Sequence, residues 1–308
     1  MRSTRWCNLA SQILVGDNPF IGVSHLSSGK GVDEERAATN DQMERVLKAA
    51  LEAGANGFTF TTHPKILDLF RHLSEGGSAD VLDRLDYYVL TPYAYEYVRQ
   101  ANLRGTVDLA WSILRRMGVS GVGSMLLDMD TIPSHFIRSE LAPFLEILPK
   151  KRVKAVLLHE ILTEPIIAFG SWNILRKLRH DVSRETGTSF GIETRNLGYL
   201  DSCMRDVSTA AEYVMTPLNP LGYQMAPSKG ACENVVSALG KHVKIIAMNT
   251  LASGASTLQE SADYLASMKR SLYAVTTASV NPNRIRGNVR ALAEALRESV
   301  PDARPEQG

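Results

Sequence analysis

The feature that most constrains the fold is a repeated alternation of short apolar strands with amphipathic helices. Runs such as Phe58–Thr62 and Lys154–Leu158 end in polar residues, and apolar side chains at helical spacing follow each of them. Short connections between such units are typical of parallel β-α-β topology. The pattern predicts an α/β protein with a single (β/α)8 barrel of the TIM type over residues 1–300, followed by a disordered tail, 301–308.

The alternation gives nine candidate strands, one more than such a barrel holds. We expect the first, Ile13–Val15, to be an extra N-terminal strand that pairs outside the barrel or closes its base. One alternative is that Ser124–Leu127 is not a barrel strand. Another is an open, doubly wound sheet.

Composition narrows the classes of function. The 308 residues carry a net charge of +1, so no electrostatic attraction to nucleic acid or to an anionic membrane is expected. No apolar run approaches the ~20 residues of a membrane span. Because the three cysteines, Cys7, Cys203 and Cys232, form no CxxC pair, we predict a cytoplasmic protein without a disulfide framework.

Polar side chains gather directly after the predicted strands. The carboxyl ends of barrel strands converge on one pocket, so we expect these side chains to share a site. Asp128, His159 and Glu193 would supply two carboxylates and an imidazole for general acid–base catalysis, and His63 and Tyr93 are further catalytic candidates. The candidates for substrate binding are Asp17, Asn18, Arg195 and Asn219.

Several well-known motifs are absent from the sequence. There is no GxGxxG, no GxxxxGK[ST], no GxSxG and no HExxH. No group of histidines and carboxylates has the tight spacing of a metal site, so no metal ligand is predicted. We therefore expect a small-molecule substrate and neither a nucleic-acid nor a membrane partner, whereas the oligomeric state stays open.

The segment Ala278–Asn288 has the features of an anion-binding helix start. Asn281 is a suitable N-cap and Pro282 suits the first helical position, where backbone N–H groups can hold an anion. Arg284 and Asn288 are four residues apart, so they share one face of the predicted helix.

This segment resembles the cofactor-binding segment of the aldo-keto reductases. Ala278-Ser-Val-Asn-Pro-Asn-Arg-Ile-Arg-Gly-Asn288 is similar to the family's Lys-Ser-Val-x-Pro-x-Arg-Ile-x-Glu-Asn. Weaker similarity links Asn249–Gly254 to the loop after the seventh strand, Gly191–Asn196 to the nicotinamide-amide motif, and His159 to the histidine after the fourth strand. The resemblance implies NADP(H) binding by Ser279, Val280, Arg284, Asn288, Asn249 and Asn196.

The catalytic tetrad of that family is not retained. Its aspartate falls on Thr59, His63-Pro64-Lys65 stands near the place of its tyrosine, and the strand that should end in its lysine ends in Thr91-Pro92-Tyr93. Glu193 replaces the serine that contacts nicotinamide. The resemblance thus implies a divergent, aldo-keto-reductase-like enzyme with a non-standard centre, acting on a small polar carbonyl compound or a phosphorylated metabolite.

Three functions stay open at this point. The first is an oxidoreductase that uses NADP(H). The second, equally plausible, is a lyase, isomerase or hydrolase without nicotinamide, cofactor-free or metal-assisted, in which Asp128, His159 and Glu193 transfer protons while Arg284 holds a phosphate or carboxylate. The third is a non-catalytic barrel that binds a small ligand or another protein.

Overall fold

The chain forms a closed barrel of eight parallel strands. The computed structural model describes residues 12–23, 28–93 and 132–297. Each strand pairs with the next along the chain, and the last pairs with the first, so the predicted (β/α)8 barrel is confirmed. The strands are β1 (Gln12–Gly16), β2 (Gly57–Thr61), β3 (Asp86–Thr91), β4 (Val153–Leu158), β5 (Ser189–Glu193), β6 (Tyr213–Pro217), β7 (Lys244–Met248) and β8 (Ala274–Thr277).

The first strand is an integral part of the barrel. Leu14 pairs with Gly57 of β2 and with Thr276 of β8. The expected position of Ile13–Val15 outside the barrel is therefore corrected: both edges of this strand are taken by barrel partners, and it closes the ring. The ninth candidate, Ser124–Leu127, lies outside the described residues.

Eleven α-helices are described around the barrel. None of them is long and apolar enough to cross a membrane. They are α1 (Ser28–Ala37), α2 (Asn40–Ala53), α3 (Pro64–Glu75), α4 (Ala79–Arg84), α5 (Ile132–Ile147), α6 (Glu160–Ala168), α7 (Trp172–Thr186), α8 (Met204–Ala210), α9 (Lys229–Leu239), α10 (Leu258–Met268) and α11 (Pro282–Leu296).

The start of α11 is as predicted. Asn281 is the N-cap, and its side-chain oxygen accepts hydrogen bonds from the N–H groups of Asn283 and Arg284. Pro282 occupies the first turn, where its missing N–H leaves no helical bond unmade. The buried face of α11 includes Ile285, Val289, Leu292 and Leu296.

Two glycines in the barrel wall make room for the inward-facing side chains. A Cβ atom on Gly191 would lie 2.5 Å from Leu157 Cδ2 and 2.7 Å from Tyr213 Cβ. One on Gly57 would lie 2.5 Å from Leu14 Cδ2. These contacts are too close for a side chain, so glycine lets the barrel interior pack tightly below the carboxyl ends of the strands.

The amino end of the barrel is closed by aromatic residues. We call Tyr88, Tyr213 and Tyr273 the tyrosine layer. Lys244 Nζ donates to Tyr213 Oη at 2.8 Å, and Tyr88 Oη donates to Gln12 Oε1, also at 2.8 Å. The polar groups of this end thus pair with one another, and the open end of the barrel is at the carboxyl ends of the strands.

Candidate functional site

The carboxyl ends of the strands enclose a cavity of ≈ 330 Å³. Its floor combines two hydroxyls, Thr59 and Thr276, with the apolar side chains of Leu90, Met215 and Met248. The charged side chains in its lining come from β5, α1, α11 and the loops after β1 and β5. They are Asp17, Glu34, Glu193, Arg195 and Arg284, and His159 lies beside them.

Asp17 is a buried acid that follows β1. Only 5% of its surface is exposed, and its Oδ2 accepts hydrogen bonds from the N–H and the Oγ1 of Thr61, both at 2.8 Å. Burial raises the pKa of Asp17 to about 6, against the hydrogen bonds from Thr61, and the charge of Glu193 adds to the rise. The carboxyl can therefore gain or lose a proton close to neutral pH.

Glu193 is a second buried acid, at the end of β5. It is 5% exposed, and its Oε2 accepts a hydrogen bond from the N–H of Glu160 at 3.1 Å. Burial raises the pKa of Glu193 to about 7, although that hydrogen bond and the charge of Arg195 oppose the rise. A large share of Glu193 is consequently protonated at neutral pH and can donate a proton.

His159 follows β4 and caps α6. Its Nδ1 accepts a hydrogen bond from the N–H of Ile161 at 3.2 Å, so the neutral ring carries its proton on Nε2. That Nε2 lies 3.9 Å from Glu193 Oε2. Burial lowers the pKa of His159, which favours the neutral imidazole beside the acid.

Helix α6 supplies two carboxylates that hold the loop after β5. Glu160 forms an ion pair with the Arg195 guanidinium. Glu164 accepts hydrogen bonds from Thr194 Oγ1 at 2.8 Å, from the N–H of Arg195 at 2.9 Å and from Asn196 Nδ2 at 2.6 Å. The charge of Arg195 is thus balanced within the protein. Helix α6 holds the loop that directly follows Glu193 at the end of β5.

The opposite side of the cavity is formed by the loop after β7 and the start of α11. Asn249 has a positive φ of 50°, and its Oδ1 accepts a hydrogen bond from the N–H of Ser253 at 2.9 Å. Asn288 Nδ2 donates to Thr277 Oγ1 at 3.0 Å. Arg284 lines the cavity, and no carboxylate of the described residues forms an ion pair with it, so its charge can meet an anionic ligand.

Comparison with solved structures identifies proteins whose barrels are similar to this one. PA4992 from Pseudomonas aeruginosa, a protein assigned to the aldo-keto reductases, superposes with a TM-score of 0.56 at 15% identity over 96% of each chain. AKR11C1 from Bacillus halodurans, an aldo-keto reductase in its holo form, gives 0.51 at 9% identity over 96% of this chain and 94% of that one. The fold is that of the aldo-keto reductases.

The NADPH complex of a Gox0644 variant is also similar, with a lower TM-score. Its TM-score is 0.50 at 12% identity, over 92% of this chain and 88% of that chain. No protein-family model and no curated protein sequence matches the chain. At such low identities the likeness concerns the fold, and the chemistry of this aldo-keto-reductase-like barrel has to be argued from its own residues.

Most of the predicted site residues meet in the one cavity. The structure brings together residues from both ends of the sequence, which confirms that the strand ends converge. Those that line the cavity are Asp17, Asn18, His159, Glu193, Arg195, Asn249, Ser279, Arg284 and Asn288. Their individual roles stay predictions.

Other predicted residues do not line this cavity. His63 caps α3 through Nδ1, and its ring centroid lies 4.5 Å from that of Tyr93. Asn219 is fully buried and bonds the backbone of Tyr223 on both its amide atoms. Val280 accepts a hydrogen bond from Gln42 through its carbonyl, and Asn196 is held by Glu164 as described. Asp128 lies outside the described residues.

Sequence reasoning missed Thr61 and assigned Asp17 to substrate binding only. Thr61 stands in the predicted strand Phe58–Thr62, where a hydroxyl is ordinary, and its partner Asp17 is 44 positions away. The usable signal is alternation, because Gly57, Thr59 and Thr61 fall on one side of β2. Within the described residues no group of three histidines, cysteines or carboxylates is placed to hold a metal ion.

Proposed function

We propose that this barrel is an enzyme that transfers protons on a small polar carbonyl compound, with Asp17 as the base and Glu193 as the acid. The observation that carries the proposal is the pair of buried carboxyls that line one cavity, both with a pKa close to neutrality. Two titratable groups that their surroundings hold in different protonation states are the usual arrangement for acid–base catalysis.

The two acids have different preferred states. Thr61 stabilises the ionised form of Asp17 through two hydrogen bonds, whereas the single N–H from Glu160 stabilises ionised Glu193 less. Burial raises the pKa of Asp17 to about 6 and that of Glu193 to about 7, which favours an ionised Asp17 and a protonated Glu193 between pH 6 and 7. We therefore expect a narrow, bell-shaped dependence of the rate on pH with its maximum in that interval.

The proposed step balances within the site. Asp17 takes a proton from the carbon next to the substrate carbonyl. The electron pair of that C–H bond forms a carbon–carbon double bond, and the carbonyl oxygen takes the proton of Glu193 to give an enol. In a hydroxy-carbonyl substrate this enol is an enediol. Asp17 then returns its proton to the former carbonyl carbon, while the hydroxyl on the carbon that was first deprotonated gives its proton to Glu193 and becomes the new carbonyl, which completes an isomerisation.

His159 and Arg284 would assist at either side of the reacting carbon. The Nε2–H of neutral His159 is 3.9 Å from Glu193 Oε2, so it can stabilise the negative charge that Glu193 acquires. Arg284 lies across the cavity and suits a phosphate or carboxylate group on the substrate. The substrate class is therefore an anionic hydroxy-carbonyl metabolite.

Proton exchange with solvent tests this function without knowledge of the product. The protein is incubated in D₂O with phosphorylated and carboxylated hydroxy ketones and aldehydes, and proton NMR follows exchange at the carbon beside the carbonyl. We expect exchange with the wild-type protein and none above background with the double variant Asp17→Asn, Glu193→Gln. Equal exchange by both proteins, or exchange by neither across the panel, would overturn the proposal.

A second candidate is NADP(H)-linked reduction of a carbonyl. It is favoured by the extent of the cavity, which runs from Glu193 to Ser279 and Arg284, and by the fold. Arg284 fits a phosphate group of the nucleotide. NADPH, when bound, would supply hydride to the substrate. Glu193 fits the nicotinamide end poorly, because a buried carboxyl replaces a neutral hydroxyl there.

Thermal unfolding with NADPH separates the two candidates. A ligand at 100 times its dissociation constant adds about 2.7 kcal/mol to the free energy of unfolding. If NADPH raises the melting temperature of the wild-type protein and not that of Arg284→Ala, the reductase gains. No rise at millimolar NADPH removes it and leaves the proton-transfer function in place.

A further inference from the structure

Thr61 makes two hydrogen bonds to a single oxygen of Asp17. Its N–H and its Oγ1 both donate to Oδ2 at 2.8 Å. The threonine is 5% exposed and lines the same cavity as the acid. The two oxygens of the carboxyl therefore differ: Oδ2 accepts hydrogen bonds from both donors of Thr61, and Oδ1 accepts neither of them.

This arrangement follows from where the β1–β2 ladder ends. The last paired residues are Gly16 and Thr59. Asp17 and Thr61 therefore lie just beyond the ladder, and the N–H of Thr61 binds a side chain where a strand interior would bind a backbone carbonyl. The backbone bond fixes the position of Oδ2, and the hydroxyl supplies the second donor.

We infer that Thr61 is a positioning residue that makes Oδ1 the proton-transfer atom of Asp17. An oxygen that already accepts two hydrogen bonds is a poor site for a proton, so the exchangeable proton of Asp17 resides on Oδ1. Thr61 also favours the ionised form of the carboxyl, which is the form that a base requires. The inference rests on the proposed function, because it assigns Asp17 as the base.

The hydroxyl of Thr61 is one of several groups in the cavity that can influence the charge of Asp17. Glu193 raises the pKa of Asp17, and His159, Glu34, Arg195 and Arg284 also line the space around it. Replacing Thr61 by valine removes one donor and keeps both the shape and the backbone bond. Because a hydrogen bond to a charged group is lost, we expect the Asp17 titration to move up by about one to two pH units.

The experiment compares Thr61→Val with Thr61→Ser, which keeps the hydroxyl. Carbon-13 NMR follows the Asp17 carboxyl against pH in the folded protein, with Asp17→Asn to assign the signal and the melting temperature to confirm folding. We expect the upward shift in the valine variant and a titration near wild type in the serine variant. Thr59→Val is the matched control on the same strand, since Thr59 makes no hydrogen bond to Asp17, and it should leave the titration unchanged.

The pH dependence of the rate then tests the role in catalysis. The acidic limb should move up with the NMR titration in Thr61→Val and stay in Thr61→Ser. A valine variant that titrates as wild type, a serine variant that shifts as far as valine, or an acidic limb that does not follow the titration would overturn the inference. If the proposed function itself is wrong, Asp17→Asn will retain full exchange activity. The NMR titrations would still show whether the Thr61 hydroxyl lowers the pKa of Asp17.

Discussion

The two ends of this barrel bury polar groups to opposite effect. At the amino end, Lys244 Nζ donates to Tyr213 Oη and lies 4.6 Å and 5.0 Å from the ring centroids of Tyr213 and Tyr273. At the carboxyl end, Asp17 and Glu193 are two acids that line one cavity. The amino end pairs donors with acceptors, whereas the carboxyl end places like charges near each other.

The difference decides which end responds to pH near neutrality. Burial raises the pKa of Tyr88 and of Tyr213 far above neutral pH, so these hydroxyls keep their protons and their hydrogen bonds. Burial raises the pKa of Asp17 and of Glu193 only to about 6 and about 7, so these groups exchange protons under physiological conditions. The amino end therefore suits a structural role and the carboxyl end suits chemistry.

The largest expected effect is on catalysis at the carboxyl end. Asp17→Asn and Glu193→Gln should each lower kcat by about 10²- to 10⁴-fold, the usual contribution of a general acid or base. Tyr88→Phe at the amino end should leave kcat within about twofold of wild type. Rates of solvent exchange measure all three, and circular dichroism verifies the fold. A loss of rate in Tyr88→Phe as large as that in Glu193→Gln would remove the contrast between the ends.

The next effect is on stability and has a definite sign with pH. The pKa of Glu193 is raised from 4.5 to about 7 in the folded protein, so the folded state binds the proton more tightly than the unfolded state. Wild-type stability should therefore fall as pH rises from 4.5 to 7, and Glu193→Gln should escape that loss. We expect the variant to gain roughly 3 kcal/mol relative to wild type between pH 4 and pH 8.

Urea unfolding at those two pH values measures the gain. Asp17→Asn is a second case of the same sign and a smaller size, because its pKa rises from 3.8 only to about 6. A Glu193→Gln variant whose stability relative to wild type is the same at pH 4 and at pH 8 would show that Glu193 is not a buried acid of raised pKa.

A third prediction concerns the barrel wall between the two ends. Gly191→Ala would place a Cβ 2.8 Å from the carbonyl oxygen of Tyr213, a backbone atom that cannot move away. We expect a loss of about 1–3 kcal/mol. Gly287→Ala is the matched control in α11, because no atom lies within 4 Å of its added Cβ, and it should gain about 0.5–1 kcal/mol. Equal effects of the two substitutions in urea unfolding would mean that the wall is not tightly packed.

The sequence predicts more of the fold than of the site. Alternation of strands and helices is a local property, so it identifies the barrel and the start of α11. It does not decide whether Ile13–Val15 belongs to the ring, because closure depends on the pairing of β1 with β8. The paired residues Gln12 and Ala274 are more than 250 positions apart in the sequence. Strand closure is a property of the whole chain.

The sequence predicts where the candidate site lies, but it does not predict the protonation states of Asp17 and Glu193. The ends of β1, β4 and β5 identify Asp17, His159 and Glu193 as neighbours, because parallel strands deliver their carboxyl ends to one place. The raised pKa of the two acids comes from burial, which requires the assembled barrel. The Thr61 contact likewise joins strands that only the fold brings together.

The smallest expected effect isolates the amino end. Tyr88→Phe removes the hydroxyl that donates to Gln12 Oε1 at 2.8 Å and lies 3.1 Å from Tyr273 Oη. Loss of such a hydrogen bond costs about 1 kcal/mol in the free energy of unfolding. Because the tyrosine keeps its proton throughout, the loss should be equal at pH 6 and pH 8, in contrast to the Glu193 variant. Urea unfolding at both values tests this, and a loss that changes between them would mean that the tyrosine layer also contains a group that titrates near neutrality.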